Sequence, residues 1–127
     1  MHPYVLTSHV RDTAVWNTPE GAAVRWVRMG EGNIGIDSYV NKYAELCPGR
    51  PLSLEIIVMQ RVFAYKKPEF WDRYRTVPAW QFERFLNLVE NGKPLPPLPA
   101  VPKEQAAQRE REDLEASLPY TKRLIQV

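Results

Sequence analysis

Two short apolar runs, Tyr4 to Asp12 and Pro51 to Ile57, constrain this chain more than any other feature. Each has the length and residue types of a strand. Each also carries a metal-competent, proton-transferring side chain towards its C-terminal end, His9 in the first and Glu55 in the second. A turn-rich segment and an amphipathic helix separate them, giving the order strand, crossover, strand. A crossover of that length joins parallel strands, and open α/β sheets and barrels keep their chemistry at the downstream strand ends. In the first run Val5, Thr7 and His9 share one face, and Leu6, Ser8 and Val10 the other. Both faces tolerate burial, as a parallel strand covered on two sides requires. A strand that begins at Tyr4 needs a partner from later in the chain. In the second run Leu52, Leu54 and Ile56 oppose Ser53, Glu55 and Ile57. A carboxylate in so apolar a run is paired, metal-bound or protonated if it is buried. The alternative is an edge strand that leaves Glu55 in solvent.

The segments between and after these runs follow local rules. Thr13 to Trp16 and Ala23 to Val27 are β-prone and flank the turn residues Asn17 to Gly21, which predicts a hairpin. Met29 to Gly35 holds three glycines in seven residues. It matches neither a dinucleotide fingerprint nor a P-loop, so a tight structural turn is the expectation rather than a phosphate cradle. Asp37 is the expected N-cap of a helix whose stripe is Ile36, Val40, Tyr43 and Cys47, widened by Tyr39 and Leu46, with Pro48-Gly49 ending it. Arg61 to Arg75 interleaves basic and aromatic residues. That mixture serves single-stranded nucleic acid in some proteins, but rings packed on the body with wet charges is the expectation here, and no nucleic-acid partner is assigned. Thr76 is the expected cap of a helix from Val77 to Asn91, with Phe82, Phe85, Leu86 and Val89 on its buried face and Gly92 at its end.

Five of the twelve prolines lie between Lys93 and Pro102, which forbids helix or central strand there. The segment divides a body, 1–92, from a C-terminal helical tail, 103–127, through a proline-rich linker, 93–102. In the tail, a charged helix from Lys103 to about Gln126, the stripe Ala107, Leu114, Leu118, Thr121 and Ile125 is expected to pack, and Pro119 to kink or interrupt it. With 127 residues there is room for one modest domain. A net charge of +2 does not by itself call for nucleic acid or a membrane surface. The single cysteine, Cys47, excludes an internal disulfide framework and fits a reducing compartment. No basic region followed by an apolar run opens the chain, and no stretch nears the roughly 18 apolar residues of a membrane span. The expectation is a cytoplasmic protein with no membrane partner.

Taken in order, His9-Val10-Arg11-Asp12, Met29-Gly30-Glu31-Gly32, the amphipathic helix and Leu52-Ser53-Leu54-Glu55 resemble the C-terminal part of the sugar phosphate isomerase/epimerase family, the xylose-isomerase-like TIM barrels. The resemblance covers about residues 3 to 92. It implies an α/β fold of partial TIM-barrel-like βα units: two parallel strands with helices, an inserted β-hairpin and a helical C-terminal tail. It also implies carbohydrate metabolism with a sugar or sugar-phosphate substrate and a divalent metal (Mn, Mg, Co or Zn). His9 and Glu55 would be metal ligands, Glu55 would also move the proton through an enediolate, and Arg11 would sit near the substrate. Alternation agrees, since it puts Val5, Thr7, His9, Ser53 and Glu55 towards the barrel interior and Leu52 and Leu54 towards the helix layer. A full barrel needs eight βα units and about 250 residues. The resemblance therefore implies a truncated member or split subunit, inactive alone, whose other glutamate and aspartate ligands lie upstream of Met1 or on a companion N-terminal barrel chain or oligomer. The competing expectation is a non-catalytic interaction module, in which Lys93 to Pro99 docks on a polyproline-reading domain.

Overall fold

The computed structural model describes residues 2–125; Met1, Gln126 and Val127, where the tail helix was expected to end, lie outside the described residues. The fold is mixed α/β, with a two-stranded parallel sheet, a three-stranded antiparallel sheet and a long C-terminal helix. Strand β1 (Ser8–Val10) pairs parallel with β4 (Leu52–Leu54), with Ser8 opposite Leu52, His9 opposite Ser53 and Val10 opposite Leu54. Backbone bonding continues one step further, because the Glu55 N–H donates to the Val10 carbonyl at 2.9 Å. Both strands are shorter than their apolar runs. Residues 2–4 form a 3₁₀ turn, and Tyr4 and Leu6 lie in solvent, because the described residues supply no second neighbour for either strand. No barrel closes among them.

Past Arg11 the chain stays extended as β2 (Asp12–Asn17), turns, and returns as β3 (Ala22–Val27), in register from Asp12 opposite Val27 to Asn17 opposite Ala22. This is the expected hairpin. A third strand, β5 (Gln60–Phe63), adds antiparallel to β3. Arg61 to Phe63 of this strand belong to the basic and aromatic stretch for which a loop, not a strand, is the expectation. The rings that follow pack on one another: Trp71 meets Phe82 edge-on at 4.7 Å and Tyr65 meets Phe82 at 5.4 Å.

The first helix, α1 (Ile36–Leu46), buries Ile36, Val40 and Tyr43 as the stripe predicts, whereas Tyr39 and Leu46, expected to widen it, face solvent. Its N-cap is Gly35 rather than Asp37: the chain enters at φ 75°, a left-handed conformation that glycine adopts without a Cβ penalty. Asp37 instead sits in the first turn and accepts the Tyr120 hydroxyl at 2.6 Å. Tyr43 donates its hydroxyl to the Pro51 carbonyl at 2.8 Å, which ties the end of α1 to the start of β4. The second helix, α2 (Ala79–Asn91), starts two residues later than expected, with Pro78 as N-cap and no side-chain cap from Thr76. It buries Val89 against Val15 and Ala22, with Phe85 packed alongside.

The proline-rich segment carries no helix or strand and lays Leu95 on the opposite face of the antiparallel sheet, against Ala14, Trp16 and Ala23. Helix α3 (Lys103–Ile125) then runs unbroken through Pro119, an exposed position. The helix packs by a different stripe from the one its leucines predict. Of the expected stripe only Thr121 is buried, joined by Asp113 and Ser117, with Tyr120 and Leu124 against the Val10–Val40 core, while Ala107, Leu114, Leu118 and Ile125 remain exposed. Hydrogen bonding decides this. Ser117 Oγ accepts the Met29 N–H at 3.2 Å and donates to the Asp113 carbonyl, and Asp113 takes Arg28 Nε at 2.5 Å. None of the described helices is long and apolar enough to cross a membrane.

Candidate functional site

The β1–β4 sheet has two unlike faces. Val10, Leu52 and Leu54 point into a core completed by Met29, Ile36 and Val40, with α1 and α3 as the helix layer. By strand alternation His9, Arg11, Ser53 and Glu55 belong to the other face. His9 and Ser53 are solvent-exposed there, and Arg11 and Glu55 are partly so.

The strand ends position these groups. Register sets His9 beside Ser53, and Glu55 follows β4 on the same side, so histidine and carboxylate emerge near one rim. The Glu55 carboxylate forms an ion pair with Arg11, whose guanidinium lies 3.8 Å from the centroid of the Trp26 ring. Arg11 is thus held between an indole and a carboxylate, both fixed by paired strands. This pairing is what lets Glu55 sit in an otherwise apolar run: the charge is part-exposed and compensated, neither buried alone nor free in solvent. The His9 imidazole makes no hydrogen bond among the described residues, and none joins it to Glu55.

An imidazole nitrogen and a carboxylate oxygen suit Mn, Mg, Co or Zn to different degrees, so the donor types present fit such a cation. They supply two donors. Among the described residues no group of three or more His, Cys, Asp or Glu side chains comes together to hold a metal.

The glycine-rich loop belongs to the covered face and has a structural occupant. Asp12, only 1% exposed, receives the N–H groups of Gly30 and Gly32 on Oδ2 (2.9 Å each) and that of Thr13 on Oδ1 (2.7 Å). Amide groups that cradle a phosphate in other loops are here satisfied by the chain's own carboxylate. Gly32 must be glycine, since a Cβ there would overlap the Asp12 carboxylate and the Thr13 carbonyl. Asn33 continues the arrangement by bonding its side-chain amide to the free edge of β2. Its side chain accepts the Val15 N–H and donates to the Val15 and Leu88 carbonyls, while its own N–H reaches Thr13.

Asp12, Trp26 and Asn33 shape this region without being among the expected site residues. Asp12 was legible, because alternation puts it on the Val10 face and two loop glycines offer N–H donors. The role of Trp26 depends on the hairpin laying it against Arg11, and that of Asn33 on its contacts with β2 and Leu88 of α2, neither of which a local pattern reveals.

Comparison with protein-family models, with curated proteins and with solved structures finds no match for this chain.

Proposed function

We propose that this chain forms the last two βα units of a metal-dependent sugar or sugar-phosphate isomerase or epimerase, and turns over only with the preceding portion of the barrel. One observation carries the proposal. The parallel β1–β4 pair has helices on one face and, on the other, a part-exposed surface to which strand alternation assigns His9 and Glu55. That asymmetry is what two strands cut from a barrel leave: a covered outer face, a bare inner face and unpaired edges.

In this reading His9 and Glu55 would hold the metal, which when bound would polarise the carbonyl and hydroxyl of the sugar. Glu55 takes the proton from the carbon beside the carbonyl and returns it to the former carbonyl carbon, while the hydroxyl proton passes from one oxygen to the other, which together balance aldose–ketose isomerisation through an enediolate. Epimerisation returns the proton to the opposite face and so requires a second acid from the companion portion. Arg11, stacked on Trp26, orients Glu55 and binds substrate oxygen. Sugar oxygens crossing the open face also meet Ser53 beside His9.

The test mixes the chain with a polypeptide supplying the preceding six strands of such a barrel and follows aldose, ketose and epimer interconversion with and without Mn²⁺. Metal-dependent turnover by the mixture, lost in His9→Ala and Glu55→Gln, is the expected result. A folded complex that stays inactive on all sugars and sugar phosphates tried would sink the proposal.

A further inference from the structure

On the other side of the molecule a cavity of about 270 Å³ opens between β3, the proline-rich segment and α3. Three arginines line it, Arg25, Arg28 and Arg109, together with two carboxylates, Glu31 and Asp113. Arg28 and Asp113 neutralise each other through the 2.5 Å bond already described, and Glu31 is solvent-exposed.

Arg25 is different. It is 7% exposed, and both its Nε (2.8 Å) and its Nη2 (2.5 Å) donate to one neutral acceptor, Gln60 Oε1. The Trp16 ring lies 5.2 Å from the guanidinium carbon. Nη1 has no hydrogen-bond partner among the described residues, and no carboxylate pairs with this guanidinium. Arg109, half-buried on α3, likewise makes no ion pair among the described residues. Burial and the neighbouring Arg109 charge both lower the Arg25 pKa. Two like charges facing one cavity, one of them desolvated, cost free energy that a bound anion would recover.

We propose that this cavity binds a small oxyanion, the phosphate or carboxylate group of an organic ligand, on Arg25 and Arg109. Planar guanidinium groups with unused N–H donors suit oxyanions. The apolar part of the ligand rests on Leu95 and Leu98, which line the same cavity. The site shares no residue with the β1–β4 face and stands independently of the function proposed there.

Calorimetric titration of the full chain with inorganic phosphate, and separately with acetate, at neutral pH and low salt tests it. The expected result is saturable binding with a Kd of about 1 mM, weakened about tenfold or more in Arg109→Gln. Arg111→Gln, which removes an exposed guanidinium paired with Glu115, should bind as the unmodified chain does. Saturation by phosphate alone assigns a phosphate ligand, and saturation by acetate alone or by both assigns a carboxylate or a general oxyanion site. Arg25→Gln should weaken binding at least as much but also loosens the β3–β5 tie, so Arg109→Gln is decisive. Absence of saturable binding of either anion, or undiminished binding by Arg109→Gln, overturns the proposal.

Discussion

The two faces of the β1–β4 sheet are built from alternate residues of the same two segments, yet they serve different ends. On the covered face Val10 and Asp12 are buried: one fills the core, and the other accepts three backbone N–H groups. On the open face His9 and Ser53 meet water, and Arg11 and Glu55 satisfy each other. A period of two therefore separates residues that hold the fold from residues free to act on something else. The difference teaches where stability and function should come apart. Changes on the covered face should unfold the chain, whereas changes on the open face should leave it folded and alter only what it binds.

The largest expected effect is at Asp12. Asp12→Ala strands three N–H donors around an apolar gap and should lower the unfolding free energy by about 3 kcal/mol or more, read from urea denaturation. Asp12→Asn keeps an acceptor and should cost clearly less. Next comes Gly32→Ala, which forces the loop off the same carboxylate at an expected cost of about 2 kcal/mol in the same assay.

A smaller effect belongs to Tyr120, which joins α3 to α1. Its hydrogen bond to Asp37, then burial, then the Asp37 and Asp12 charges hold the phenol above its ordinary pKa, against Arg123. The folded state therefore prefers the protonated phenol. This stabilisation is fully present below the unfolded value of about 10 and is lost as pH rises through the higher folded value. Tyr120→Phe should cost about 1 kcal/mol at neutral pH and flatten the alkaline part of the stability profile, as thermal melts across that range would register. The smallest change in stability should come from His9→Ala, within about 0.5 kcal/mol of the unmodified chain. If His9→Ala unfolds the protein as Asp12→Ala does, the division between the faces fails.

How much of this was legible in the sequence follows from which forces were local. The hairpin, the α1 stripe and the parallel pairing of the two apolar runs rest on periodicity and turn chemistry, and all three are observed. The face of α3 was not legible. Leucines at 114 and 118 outrank Asp113 and Ser117 on any hydrophobic scale, but the Met29 N–H and the Arg28 guanidinium, just past β3, take polar partners from the other stripe. Strand β5 was hidden for a similar reason, since Arg61 pairs opposite Val24 in a sheet that only tertiary contact creates. At the candidate site, His9 and Glu55 were visible as residue types at strand ends. Their placement towards one rim needed the register, and the clasp of Trp26, Arg11 and Glu55 needed the hairpin.

The central claim is that His9 and Glu55 form the chain's half of a metal site on the open face. Adding Mn²⁺ to the ¹⁵N-labelled chain and recording the paramagnetic broadening of its amide signals tests this most directly. The account predicts broadening centred on His9, Ser53 and Glu55 and abolished in His9→Ala, while signals from α2 and the hairpin turn stay sharp. Broadening centred on other carboxylates, or unchanged in His9→Ala, would contradict it.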